Sequence, residues 1–271
     1  MQAFDLLQFT AVWDTLRARL NSPIKPTPPT LHVFSCLPST NDRLWELVEQ
    51  GVAPGTAVLA LEQQAGRGQW GRQWSSPLGG LYLSLFLTPD LPAQVAAQLT
   101  MGSAWGIAQT FRAFAIPVHI KWPNDLVIRG RKLGGILTET RLQEGRVARA
   151  VVGVGVNWKN PVPTTGITVL EATQETEIQS LEFLAAIVLW GIWTGVLHWQ
   201  QRGCEAVLPS YLELLAGRGA EVEWGGQRGT LIGVTATGAL RVQLLPSQQG
   251  QVSEVCLQPG TMSLGYNGRG A

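Results

Sequence analysis

The chain has 271 residues, of which 45% are hydrophobic and 14% charged, with a formal net charge of +1. That composition buries a sizeable core and excludes a disordered, highly solvated polypeptide. It also supplies no global basic field for nucleic acid, so any anion must be met by a local cluster. The length fits one large domain and a small appendage, at roughly 100–200 residues per domain.

In chain order, residues 1–30 read as a short amphipathic helix followed by the linker SPIKPTPPT, whose prolines forbid a helix. The piece is too short for a helix-turn-helix domain, and Asp5 stands where a secretory signal needs a basic start, so neither is expected. Leu31 to Leu37 reads as a strand. Ser39 and Asp42 have capping-box spacing before RLWELVEQ, which Gly51 stops. Thr56 to Leu61 is β-rich. In LYLSLFL, Leu81, Leu83, Leu85 and Leu87 share one face, and Tyr82, Ser84 and Phe86 the other.

Pro92 to Ala115 is predicted helical, with small residues Gly102, Ala104 and Gly106 inside. Val118 to Ile120 and Leu126 to Ile128 flank a polar turn. Ile136 to Arg141 and Val147 to Val156 form a hairpin about a QEG turn. Phe183 to Gln201 carries no charge, yet Gly191, Thr194, Gly195 and His198 interrupt it, so a buried core helix is expected rather than a membrane span. Near Ala216–Gly219 the character changes. Glu221 to Trp224, Gly229 to Val234, Leu240 to Leu245 and Val252 to Leu257 are short strands separated by WGGQ, TATG and PSQQG, the pattern of a small β-barrel. The divisions are therefore 1–30 (extension and linker), 31–216 (main domain) and 217–271 (barrel). The fold class is α+β with a mixed or mainly antiparallel sheet. Cys36, Cys204 and Cys256 are dispersed without metal spacing, which points to a reducing, cytoplasmic compartment.

Four segments carry chemistry. Gln63 to Trp74, QQAGRGQWGRQW, lies between two strands. Its glycines allow backbone approach to a ligand, Arg67 and Arg72 suit a carboxylate or phosphate, and Trp70 and Trp74 offer flat surfaces. A surface loop with its tryptophans tucked inward is the alternative. Neither a Walker A loop nor a Rossmann fingerprint is present. Lys121-Trp122-Pro123-Asn124-Asp125 is a turn that also sets a lysine beside a carboxylate able to ligate Mg²⁺. Arg131-Lys132-Leu133-Gly134-Gly135 reads either as a basic hairpin entrance or as an anion site. Gly153-Val154-Gly155-Val156-Asn157 is a buried strand whose glycines admit a neighbour, and whose Asn157 can pair with an adenine edge. His32, His119 and His198 have no nucleophile elbow and no zinc spacing, so they read as structural.

Taken in order, Ser39-Thr40-Asn41, Gly66-Arg67-Gly68-x-x-Gly71-Arg72-x-Trp74, Lys121-Trp122-Pro123-Asn124-Asp125, Lys132-Leu133-Gly134-Gly135-Ile136 and Gly153-x-Gly155-x-Asn157 resemble the bacterial biotin–protein ligases. The match is strong over about residues 31–160, and Gly260-Thr261-Met262-Ser263-Leu264 fits the end of the family's C-terminal module. The resemblance implies a catalytic domain like that of lipoate ligases with an SH3-like barrel behind it, and no DNA-binding domain. It also implies ATP-dependent formation of biotinyl-5′-AMP and transfer of biotin to a lysine of a biotin carboxyl carrier protein, with Mg²⁺. Oligomeric state is left open, a homodimer included.

By the same resemblance, Ser39, Thr40, Asn41, Gln63, Arg67, Gly68, Gln69, Lys132 and Gly135 face biotin. Trp74, Lys121, Asn124 and Asn157 face the nucleotide, and Asp125 faces the metal. Lys132, Arg67 and Lys121 carry the catalysis. Three departures stand out: Gln69 where the family usually has Arg, Thr261 where it usually has an acid, and residues 1–30 where the bifunctional members carry a DNA-binding domain. The rival readings are a lipoate or octanoate ligase on the same fold, and a non-catalytic biotin or nucleotide sensor.

Overall fold

The computed structural model of the chain describes residues 4–20, 22–173, 177–245, 253–262 and 264–266. The PSQQG turn, Val252 and Ser263 lie outside the described residues. The elements are α1 (Leu6–Arg19), β1 (Thr30–Phe34), α2 (Thr40–Glu49), β2 (Thr56–Ala60), β3 (Leu81–Leu87), β4 (Leu91–Pro92), α3 (Ala97–Ala113), β5 (His119–Lys121), β6 (Asp125–Ile128), β7 (Arg131–Gln143), β8 (Arg146–Val156), α4 (Val169–Ala172), α5 (Leu181–Arg202), α6 (Cys204–Leu214), β9 (Glu221–Trp224), β10 (Gln227–Val234), β11 (Leu240–Leu244) and β12 (Glu254–Leu257).

The main sheet runs β1-β2-β3-β8-β7-β6-β5, with β4 paired to β8. Only β1 and β2 run parallel; the remaining pairs are antiparallel. This is the mixed, mainly antiparallel sheet of an α+β fold that the sequence predicts. The alternation in β3 is real. Leu81, Leu83, Leu85 and Leu87 enter the main core with α3 and α5, while Phe86 joins Val58, Val151 and the apolar side of α2 on the opposite face. Burying one stripe on each face is what a sheet sandwiched between helices requires.

α5 is the core helix expected, apolar enough by length and composition to cross a membrane but mostly buried inside the fold. It crosses α3 at Gly102 and Gly106 against Gly191 and Gly195, so closely that a Cβ on Gly106 would stand 2.0 Å from the carbonyl oxygen of Gly191. The helix expected from Pro92 starts at Ala97, because Leu91 and Pro92 pair with Val147 and Arg146 of β8. α1 packs on α5 through Phe9, Trp13 and Leu16, with the Trp13 and Trp190 rings edge to face at 5.4 Å. It thereby adds to the main core, and Asp5 caps it by accepting from Leu7 and Gln8. The three cysteines are free.

β9 to β12 form a separate four-stranded antiparallel meander, consistent with a small SH3-like module. It is tied to the main domain where Trp122 Nε1 donates to the Gly238 carbonyl at 2.8 Å and Gln98 donates to Ala236.

Candidate active site

One cavity of about 470 Å³ is lined by residues of all five motifs, two of them in full. Volume in this range suits a small-molecule site. Its walls are the start of α2, the loop 63–74, the β5–β6 turn, and the facing stretches of β7 and β8.

At one end, α2 delivers Ser39, Thr40 and Asn41. Ser39 caps the helix, accepting from the Asp42 amide, as its capping-box position predicts. The Thr40 amide donates to Gln63 Oε1 at 2.8 Å, and Gln63 Nε2 donates to Ser76 at 2.8 Å. Ser84, fully buried on β3, donates to Asn41 Oδ1 at 2.7 Å and lies 2.8 Å from the Thr40 hydroxyl. Asn41 in turn donates to Glu139 at 2.9 Å. These side chains hold one another in place before any ligand arrives. Gly153 makes room for this arrangement, since a Cβ there would stand 2.2 Å from Asn41 Oδ1.

Arg67 pairs with Asp42 and, at 3.0 Å, with Glu139. It ties the glycine loop to α2 and β7. With these two carboxylates on it, Arg67 braces the site while its side chain still lines the cavity. Gly68 accompanies it, its amide donating to the Arg72 carbonyl at 2.7 Å. Gln69 sits in a single 3₁₀ turn at the loop tip and lines the cavity. The neighbouring Trp70 adopts a positive φ of 59° and is 63% exposed.

The other end is cationic. Lys121 and Asp125 are directly paired across the β5–β6 turn, and Asp125 pairs with Gly135 of β7. A bulge then slips the register, so that Val127 faces Lys132 and Leu133 is the extra residue. In a regular strand Lys132 and Gly135 would point to opposite faces; the bulge puts both beside Asp125, re-aiming a side chain as bulges near sites do. Lys132 Nζ forms an ion pair with Asp125 Oδ1 at 2.7 Å. The Lys132 backbone is clamped by the segment after β8: its amide donates to Thr165 at 2.8 Å, and its carbonyl accepts from Ile167 at 2.9 Å and from Asn157 Nδ2 at 3.2 Å. Burial pushes the Lys121 ammonium down to about 8; Asp125 pulls it up, while Lys132 and Arg72 push it further down.

Trp74 lies between the two ends. Its indole passes over Gly155, where a Cβ would stand 2.4 Å from Nε1, and Lys132 Nζ is 5.2 Å from its ring. Trp74 Nε1 is buried with no hydrogen-bond partner, a donor waiting for an acceptor. Asn124 lines the cavity with its amide nitrogen donated to the Ile136 carbonyl at 2.8 Å, which braces the turn onto β7.

Asn157 is the one predicted site residue that does not line the cavity. Its Nδ2 serves the Lys132 carbonyl and its Oδ1 accepts from Asn160 at 3.1 Å, so it supports Lys132 from behind. Asp125 is not a free metal ligand or base, because Lys132 and the hydroxyl of Tyr266 occupy it. No cluster of three or more His, Cys, Asp or Glu exists among the described residues. A protein-held Mg²⁺ therefore does not fit at Asp125, since an ammonium already stands where the second cation would go.

Sequence reasoning missed Ser84, Glu139 and Tyr266, and it assigned Gly260, Met262 and Leu264 to the C-terminal module without placing them at the cavity they line. The alternating pattern placed Ser84 on the face opposite the leucines, and in the fold that face meets α2, where the hydroxyl finds its partners.

Residues 33–157 match the model of the biotin/lipoate A/B protein ligase family. Over that stretch the chain is similar to a biotin/lipoate ligase domain. The bifunctional ligase/repressor BirA of Bacillus subtilis is 43% identical over 123 residues, 45% of this chain and 38% of that protein. The biotin–[acetyl-CoA-carboxylase] ligase of Paracoccus denitrificans is 36% identical over 144 residues, 52% of this chain and 59% of that protein. Among solved structures, the biotin protein ligase from Aquifex aeolicus in complex with biotin and ATP superposes with a TM-score of 0.67 at 25% identity, over 83% of this chain and 95% of that one. The chain thus spans under two thirds of these curated relatives while matching nearly the full length of the Aquifex ligase.

Proposed function

We propose that the chain activates biotin with ATP and transfers it to a lysine of a biotin carboxyl carrier protein. The observation that carries this reading is the convergence of the glycine–arginine loop, Lys121 and Lys132 on one cavity with a pre-ordered polar end and a cationic end. An acid and a nucleotide need that pairing. The relatives' names and the biotin- and ATP-bound Aquifex ligase support it.

In the first step the biotin carboxylate oxygen attacks the α-phosphorus of ATP. The bond to the β-phosphate oxygen breaks, and pyrophosphate leaves with its electron pair. The nucleophile belongs to the substrate, so the chain contributes position and charge rather than an activated serine or cysteine. The network of Ser39, Thr40, Asn41, Gln63 and Ser84 positions biotin. Lys132, fixed by its clamped backbone and by Asp125, meets the carboxylate and α-phosphate oxygens, and Lys121 meets the polyphosphate. Trp74 separates the two ligands and offers its free N–H. Mg²⁺ accompanies ATP in this reading, and no residue of the chain is assigned to it.

In the second step the neutral amine of a carrier lysine attacks the acyl carbon. AMP leaves and the amine proton passes to solvent. Asp125 is already engaged and is not assigned as the base.

The test is incubation with ATP, Mg²⁺, a carrier domain and an equimolar mixture of biotin and lipoate. The expected product is a biotin mass added to one carrier lysine, dependent on ATP. Preferential attachment of lipoate would move the chain to the lipoate branch of the fold. No attachment of either acid, with biotin still bound, would favour a sensor.

A further inference from the structure

Tyr266 belongs to none of the five motifs. It reaches the cavity from the segment after β12, 141 residues beyond Asp125, the carboxylate it bonds. Its ring centroid is 3.3 Å from Lys121 Nζ and 5.8 Å from Lys132 Nζ, and its hydroxyl donates to Asp125 Oδ2. Lys121 is only 9% exposed, so the ring covers much of what its ammonium presents to the cavity. A phosphate oxygen must come within about 2.8 Å of that nitrogen to pair with it. Ring carbons hold that space.

We propose that Tyr266 gates the nucleotide half of the cavity. It stands in for the anion at Lys121 and moves off when a polyphosphate arrives. The replacement is one that ATP wins, because an aromatic quadrupole is a weaker partner for an ammonium than a full negative charge. The hydroxyl bond to Asp125 is the tether that holds the ring closed. The gate rests on reading this cavity as an ATP site. It also makes a separate statement, that the closed form does not bind ATP, which lowers the apparent affinity by the fraction of molecules that are open.

Calorimetric titration of the full chain with ATP and, separately, with biotin tests this in the wild type, Tyr266→Phe and Tyr266→Ala. With an open fraction of about a tenth, Tyr266→Ala binds ATP about tenfold more tightly. Tyr266→Phe keeps the ring and loses the tether, so its ATP affinity falls between the other two. Biotin affinity stays at the wild-type value in both variants, which also shows that they are folded. Equal or weaker ATP binding by Tyr266→Ala overturns the gate and leaves the nucleotide reading standing. Loss of biotin binding in that variant overturns it too, since the tyrosine is then a structural wall. Absence of ATP binding in all three proteins overturns the nucleotide reading, and the gate with it.

Discussion

Gly155 lies directly beneath the indole of Trp74, with room for a hydrogen and not for a methyl group: a Cβ there would stand 2.4 Å from Nε1. Two residues earlier on the same strand, Gly153 admits Asn41 in the same way at 2.2 Å. One strand thus uses two glycines to seat Asn41 at the polar end of the cavity and Trp74 between that end and the cationic one. The two substitutions should separate the ends. Gly155→Ala displaces Trp74 and weakens ATP binding, Gly153→Ala displaces Asn41 and weakens biotin binding, and overpacking costs the fold about 1–3 kcal/mol in each. Separate titrations of the two ligands check this; identical effects of both variants on both ligands would contradict it.

Lys121 gives the site a pH dependence. Its free-state pKa of about 8 means that the ammonium is charged at neutral pH and lost as pH rises through 8. A bound phosphate favours the charged form and raises that pKa. ATP binding therefore takes up a proton near and above pH 8, and affinity declines as pH rises further. The measurement is binding enthalpy in buffers of different ionisation enthalpy at pH 8.5. A Lys121→Arg variant, charged throughout this range, should show no such uptake.

Gln69 stands in the loop that must cover a reactive anhydride. It presents a neutral amide where the resemblance leads one to expect a guanidinium. The expected behaviour is faster escape of biotinyl-5′-AMP, and hence some labelling of bystander lysines in a protein mixture. Gln69→Arg should reduce that escape. Release of the adenylate from a preloaded enzyme, followed by chromatography, reads it directly, and an unchanged release rate in the variant would count against the account.

The α3–α5 crossing makes a prediction about stability alone. A methyl group on Gly106 meets the Gly191 carbonyl and the Gly195 backbone, neither of which can rotate away. Gly106→Ala should destabilise the fold by about 2–3 kcal/mol, seen as a lower denaturation midpoint.

What the sequence revealed follows its physics. Periodicity and turn residues gave the sheet, α2, the long core helix and the meander, because each depends on local pattern. The Lys-Leu-Gly-Gly segment reads as a hairpin entrance or an anion site, since two glycines after a lysine allow close backbone approach. In the fold it opens a 13-residue strand, because β8 offers 11 residues to pair with. The bulge at Leu133 that aims Lys132 depends on the register of β6 and is invisible from β7 alone. Asn157 reads as a ligand contact because a strand-end amide has free donors and acceptors; here Lys132 and Asn160 take both. α6 escaped notice behind Pro209, which tertiary packing of Val207, Tyr211 and Leu214 overrides. Tyr266 meets Asp125 only through the whole chain's folding, and no local pattern announces it.

The most direct test of the central claim is exchange of labelled pyrophosphate into ATP, with no carrier protein present. An acid and a nucleotide meeting beside Lys132 predict exchange that requires biotin and that falls to background in Lys132→Ala, while biotin still binds. Exchange that proceeds without biotin, or at an undiminished rate in Lys132→Ala, would contradict the account.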